Sequence, residues 1–439
     1  MSCPYSQPNC PQQKLPATAE SCPECQRFLK PCAQCGTQNR AFANFCRSCR
    51  APLPAARGNW LGYKGSAQRL GLNTASPPAW DPPRWENLEI RETGLKLQLG
   101  ESCRSLLGYD RHLIAVGQNG MIEIGDPQST AASYRLRSGG PISCEPCVDR
   151  GILYLGSPSR LSAWSLGGLT LANPQLTPHW TLPLSGTPVQ ALTVLDNRLY
   201  ITVYHQDGRK EVQVIENLDL TPPSRLRVLH ASSRLSWMAA DPASHQVIFF
   251  SQDGNSLQLH VVTSNARSEL TSRIVALPPF ADPVPIAFLG GKAFGVFGDE
   301  EKLCRIDIQT ASFEQAFDTD TKLFSLNRDG ERGWDGDGVR VDTTGVVFMR
   351  SGIRDSFAPL ERVAKGSPVI LQGCAAVVGM QDGRIRFYDL NHPPRHEVRR
   401  LGDDGESIAA LASFQSFVAA ASTKGVVKAF ELRGKGAAA

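Results

Sequence analysis

An all-β repeat fold carrying a small metal-held head is the class the sequence predicts, and three observations predict it. Eight of the thirteen cysteines lie within the first 49 residues. From about residue 95 onward a strand–turn–strand unit recurs. Gly 39 and Pro 31 supply the turns that many short strands require. At 439 residues, 41% hydrophobic and 20% charged, the chain can bury a large core. Repeats relax the usual expectation of about 150 residues per domain.

The head spans residues 1–50. It contains Cys3 and Cys10, then three Cys-x-x-Cys pairs, Cys22/Cys25, Cys32/Cys35 and Cys46/Cys49. Two thiolates two residues apart on a tight turn bite one ion, and a second such pair completes a tetrahedron around Zn²⁺. Met1 to Pro8 show neither a positive n-region nor an apolar h-region, so no signal peptide is read. No segment reaches the roughly 20 apolar residues of a membrane helix. A reducing cytoplasm is the expected location, where thiols stay free to take metal.

Charge is uneven. Residues 1–73 hold nine Lys/Arg against Glu20 and Glu24, a formal +7, which leaves −3 for the remainder of a chain whose total is +4. A Zn²⁺ held by four thiolates carries a formal charge of about −2, so two filled sites offset much of that basicity. A nucleic-acid reading from pI alone is weak.

Residues 51–94 shift to Pro, Gly and Ala and read as a Pro-rich linker. Trp60, Trp80 and Trp85 fall here, which is unusual for a solvated tether. The expectation is that part of the segment straps onto the body and buries those rings.

The body, residues 95–433, shows the repeat most clearly in Leu113–Ile124, Leu153–Trp164, Val247–Leu259, Ala293–Ile306, Ala376–Tyr388 and Phe417–Phe430. Asn-Gly and Asp-Gly between alternating runs are hairpin signals, because these residues accept positive φ. Less regular copies occupy Arg198–Ile215 and about 323–350. A further run opening on Pro141, Pro188, Pro285 or Pro368 precedes several units, giving three or four strands per repeat. Units of about 42 residues are the length of a four-stranded blade, and a closed ring removes exposed sheet edges. The predicted fold is therefore a β-propeller of eight blades, or seven if 323–350 is an elaborated loop. Residues 88–99 alternate and are placed as a closing outer strand; 434–439 read as a disordered tail.

Trp164-Ser165-Leu166, Tyr388-Asp389-Leu390 and Phe430-Glu431-Leu432 share an aromatic-x-Leu ending, placed at the final strand of each unit. With the Pro141–Gly156 pattern, they resemble quinoprotein-like and WD40-like propellers over residues 95–433. The Trp-Asp dipeptide of true WD40 blades is missing, and the tryptophan-docking motif survives only as Asp307-Ile308-Gln309-Thr310.

Cys32-Ala-Gln-Cys35-Gly36 followed by Asn44-Phe45-Cys46-Arg47-Ser48-Cys49 resembles a zinc ribbon, so the head resembles a double zinc ribbon. That resemblance implies two structural Zn²⁺ ions, one on Cys3, Cys10, Cys22 and Cys25, the other on Cys32, Cys35, Cys46 and Cys49. The six residues that separate Cys3 from Cys10 depart from the pattern. A cross-braced arrangement joining Cys22/Cys25 to Cys46/Cys49 stays open, as does a first pair without metal.

Other signals carry blander readings. Cys144/Cys147, Cys103, Cys304 and Cys374 sit in strand patterns and read as buried small hydrophobes. The acidic stretch from Asp318 to Gly338 could cradle Ca²⁺, but it misses the EF-hand spacing and reads as a solvated loop. The eight histidines form no HExxH, and no nucleophile elbow or phosphate loop is present.

The expected function is a non-enzymatic, zinc-binding interaction or scaffold protein. Its head and propeller each meet a macromolecular partner, with no membrane insertion. The alternative is nucleic-acid binding through Arg40, Arg47, Arg50 and Arg57, with Phe42 or Phe45 for stacking. A quinone-dependent dehydrogenase on the propeller axis is the third class; no cofactor ligands are identified for it.

Overall fold

The structure, a computed structural model, describes residues 29–40, 46–53 and most of 84–435, with a few single residues before 29. Trp60, Trp80, Cys10, Cys25, Cys374, the acidic stretch between 327 and 337 and the tail 436–439 lie outside the described residues. Strands dominate; the helical elements are the 3₁₀ turns Trp85–Asn87 and Leu166–Thr170 among the described residues. No helix among them is long and apolar enough to cross a membrane.

Among the described residues, eight antiparallel sheets of four or five strands follow one another along residues 88–434. Six run in simple meander order, as in Cys103–Tyr109, His112–Gly117, Met121–Gly125 and Tyr134–Arg137; in a seventh, Arg234–Leu235 and Ala239–Asp241 both pair with Gln246–Asp253, and the last takes one strand from the start of the propeller. The irregular segment near 323–350 forms its own sheet, Phe324–Leu326, Gly338–Val341, Val346–Arg350 and Ile353–Ser356. First strands lie side by side: Cys103–Tyr109, Cys147–Asp149, Thr187–Leu195, Ala239–Asp241 and Ala287–Leu289 in one run. Phe324–Leu326, Val369–Leu371 and Ile408–Phe414 form the other, and Ile408–Phe414 packs on Cys103–Tyr109. This arrangement is a β-propeller.

Closure comes from the strand Leu88–Gln98. It pairs antiparallel with Val426–Gly434 as the outer strand of the last sheet. Its alternation buries Leu88, Ile90, Leu95 and Leu97. Trp85, just ahead of it, packs against the same core cluster, so one of the three linker tryptophans lies on the propeller.

The two-residue period of a strand explains how each sheet serves two neighbours. In Ile152–Ser157, Ile152 and Tyr154 join the core toward the following sheet, while Leu153 and Leu155 join the core toward the preceding one. In Gln246–Asp253, Val247 and Phe249 face one way and Ile248 and Phe250 the other. Burying each such side chain contributes about 1.5–3 kcal/mol. Close approach of sheets needs glycine at Gly379, where a Cβ would lie 2.6 Å from Ile408 of the next first strand.

One placement differs from the sequence reading. Trp164, Tyr388 and Phe430 lie on third strands, not final ones. A fourth, outer strand follows in Pro178–Pro183 and His396–Arg400, and Leu88–Gln98 takes that place in the last sheet. Outer strands such as His396–Arg400 are polar and escape hydrophobic patterning.

Candidate metal centre

Two knuckles of the same build face each other in the head. The hairpin Leu29–Pro31 with Gln38–Arg40 leads into the first. Cys32 N–H donates to Thr37 O at 3.0 Å, and Gly36 N–H donates to Cys32 O at 2.8 Å. Gly36 has φ +69°, the left-handed geometry that turns the chain behind the second thiol. In the second knuckle Cys46 N–H donates to Ala51 O at 2.8 Å and Arg50 N–H to Cys46 O at 3.0 Å. Arg50 there takes φ +61°, holding with a side-chain-bearing residue the position Gly36 holds in the first.

The four sulfurs converge. Cys32 Sγ is 3.6 Å from Cys49 Sγ, Cys35 Sγ is 3.6 Å from Cys46 Sγ, and all four lie within 4.8 Å of one another. A tetrahedron with Zn–S bonds of 2.3 Å has edges of about 3.8 Å, whereas a disulfide would need about 2.05 Å. The spacing fits one ion held between four free thiols. Cys32 and Cys46 are buried; Cys35 and Cys49 are exposed.

The surroundings favour thiolate at Cys46 and Cys35. Backbone N–H groups of Cys49 and Ser48 bring Cys46 down to about 6 despite burial, and the Ser48 N–H lies 3.4 Å from its sulfur. Cys35 is lowered by Thr37, whose hydroxyl is 3.3 Å from Sγ. Cys49 is lowered by the Ala51 N–H, but desolvation and the neighbouring sulfurs of Cys35, Cys32 and Cys46 push it up to about 12. Cys46 and Cys35 lean toward thiolate and Cys49 resists, a resistance that a dication would offset by neutralising the group.

Sequence reasoning missed Asn39. It is 1% exposed and donates through Nδ2 to Thr37 O at 2.7 Å and to Cys46 Sγ at 3.7 Å. Its Oδ1 accepts from Arg47 N–H at 2.8 Å, so one amide ties both knuckles together. A polar residue inside a hairpin carries no pattern that would mark this role. Gln38 beside it, fully buried, donates to Pro16 O and Ala19 O.

Of the first predicted set, Cys3 and Cys22 are buried in one small cluster with Leu15 and Leu29. Cys10 and Cys25 lie outside the described residues. For Cys46 and Cys49 the structure brings together the sequential partners Cys32 and Cys35, not the cross-braced pair.

Cys103, Cys144 and Cys147 are buried in the sheet cores. Burial pushes the Cys144 thiol up to about 12 and Cys103 higher still, so these are packed, unreactive thiols. Cys304 lies on the strand Lys302–Asp307.

No family model matches the chain, and no curated protein matches it. Among solved structures it is similar to BamB from Moraxella catarrhalis at 14% identity, over 78% of this chain and 100% of that one, with a TM-score of 0.53. It is similar to the computationally designed Ika8 protein at 14% identity, over 77% of this chain and 98% of that one, with a TM-score of 0.56. The WD40 β-propeller domain of Doa1 follows at 11% identity, 78% and 97% coverage, and a TM-score of 0.43. Likeness at this identity defines a class, the β-propellers, by fold alone.

Proposed function

We propose that this chain is a non-enzymatic interaction protein in which a zinc-stabilised head and a propeller each engage a macromolecular partner. The observation that carries the reading is the convergence of Cys32, Cys35, Cys46 and Cys49 at tetrahedral spacing. Four thiolates fill the shell of Zn²⁺ and leave no open position for water or substrate, so the ion is structural. A head with only two three-residue strands and two small apolar clusters among its described residues needs such an ion to hold its shape. Cys3, Cys10, Cys22 and Cys25 supply the second ion; burial of Cys3 beside Cys22 supports this. The closed ring of sheets adds a broad preorganised surface, on which a partner loses little loop entropy.

Two measurements on the full chain test this. Elemental analysis of reduced protein is expected to find about two zinc ions per chain; none would end the zinc reading. Affinity capture with the wild type and with a Cys32→Ser/Cys46→Ser variant, each with and without nuclease, addresses partners. Partners lost from the variant but resistant to nuclease support the proposal. Capture abolished by nuclease, with steep salt dependence, would replace it with nucleic-acid binding through the basic head.

A further inference from the structure

The four converging sulfurs of the head fall into two contacts, and each joins an exposed sulfur to a buried one on the opposite knuckle. Cys35 is exposed and stands 3.6 Å from the buried Cys46; Cys49 is exposed and stands 3.6 Å from the buried Cys32. The two contacts span 11 and 17 positions of sequence. The scaffold around them is held by other bonds as well. Cys32 N–H and Cys46 N–H donate to Thr37 O and Ala51 O, and the Asn39 amide joins Thr37 O to Arg47 N–H. Solvent therefore reaches one member of each pair, while backbone and amide bonds keep its partner in place behind it.

We propose that this centre is an oxidant-responsive modification site, at which a peroxide converts the four thiolates into two disulfides across the knuckles, Cys35–Cys46 and Cys32–Cys49, and frees the ion. The inference rests on the zinc-held head proposed above. The exposed sulfur, Cys35 or Cys49, attacks one peroxide oxygen; the S–O bond forms, the O–O bond breaks and hydroxide leaves. The buried partner's thiolate then attacks the sulfenic sulfur, forming the S–S bond and expelling a second hydroxide. Each pair gives two electrons to one peroxide. Two peroxides thus consume all four thiolates, and no sulfur is left to hold the ion. The sulfurs of each pair need only close from 3.6 Å to about 2.05 Å, a side-chain adjustment.

Both bonds tie one knuckle to the other, as the ion does, so the oxidised head keeps the two knuckles together. A bond inside either Cys-x-x-Cys pair would not. The propeller thiols stand in contrast. Cys103, Cys144 and Cys147 are at most 6% exposed and lie among apolar side chains, where a peroxide has no access. The response is therefore selective for the head, and a dithiol reductant with zinc restores the starting state.

Zinc release and disulfide mapping on the full chain, purified reduced, test this. Hydrogen peroxide in molar excess is expected to free about one more ion per chain from the wild type than from Cys32→Ser/Cys46→Ser, read with a chromogenic chelator over the peroxide-free baseline. Alkylation in denaturant followed by mass-spectrometric peptide mapping is expected to find Cys35 linked to Cys46 and Cys32 to Cys49, with Cys103, Cys144 and Cys147 alkylated. Trypsin should cut after Arg47 at least about tenfold more slowly in the oxidised protein than in reduced protein stripped by a chelator. Zinc absent from the purified chain would end the zinc reading and this proposal together. Zinc retained under peroxide, disulfides confined to Cys32–Cys35 and Cys46–Cys49, sulfinic acids in place of disulfides, or equal cleavage of oxidised and stripped protein would each overturn this proposal and leave the zinc reading standing.

Discussion

His260 shows how a single buried side chain makes the joint between two sheets sensitive to acid. Its ring stacks on Phe249 at 4.6 Å, lies 4.1 Å from the His230 ring of the preceding sheet, and shares a 2.7 Å hydrogen bond with Ser251. Burial lowers His260 to about 4, with His230 adding to the effect and Asp253 opposing it. Burial lowers His230 as well, again against Asp253. Asp253 is itself held by the Ser232 hydroxyl at 2.8 Å. Both imidazoles are therefore neutral in the folded protein at pH 7, while the unfolded chain takes up protons below about 6.5. The folded state binds fewer protons in that interval, so stability is full above about pH 6.5 and falls as pH drops toward 4. The loss from His260 is at most about 3 kcal/mol. Urea unfolding at a series of pH values checks this. His260→Gln keeps a partner for Ser251 and is expected to flatten the acid limb; an unchanged slope would place the sensitivity elsewhere.

Among elements, the strand Leu88–Gln98 has the largest consequence, and its far end is latched by one carboxylate. Glu123, 1% exposed, accepts from Gln98 N–H at 2.6 Å and from Arg135 Nε at 2.5 Å; Arg135 Nη2 also donates to Gln98 O at 2.9 Å. Glu123→Ala leaves the Gln98 amide without its acceptor and is expected to destabilise by about 2–3 kcal/mol. Arg433→Ala, which removes the pair with Glu431 at the surface, should shift the midpoint far less. Equal midpoints in denaturant would remove the latch from the account. This strand was legible beforehand because alternating apolar residues stand out, as were the hairpins turning on Gly120, Gly254, Gly383 and Gly425, all with positive φ. The turns between first and second strands were not. Asp110, Arg150, His245 and Gln415 take the left-handed geometry there, and Arg, His and Gln do not announce it. First strands such as Cys147–Asp149 and Val369–Leu371 have three residues each, too few to show a period. In the head, cysteine spacing revealed the four cysteines that converge, but Asn39 depends on contacts between the knuckles.

At the scale of the whole molecule, the proposed ion and the propeller cores would act on separate sets of residues, and removing each should have a different outcome. Among the described residues, the apolar clusters of the head draw on residues 3–53 and those of the propeller on residues from 85 onward. Withdrawing the ion with a strong chelator should therefore unfold the head and leave propeller unfolding shifted by less than about 0.5 kcal/mol. Deleting residues 1–98 also removes Leu88, Ile90, Leu95 and Leu97, each at most 5% exposed in the native chain. Their burial is worth about 6–12 kcal/mol, comparable with the roughly 5–15 kcal/mol net stability of a folded protein. It also exposes the edge of Val426–Gly434 to pairing with other chains. The expected result is an aggregating or unfolded product, whereas deletion of residues 1–53 leaves a soluble ring with the parent's cooperative melt. Calorimetry on the two truncations and the chelated full chain separates the cases. A propeller that melts earlier once the ion is withdrawn would mean that the two parts stabilise each other, contrary to the division of their cores.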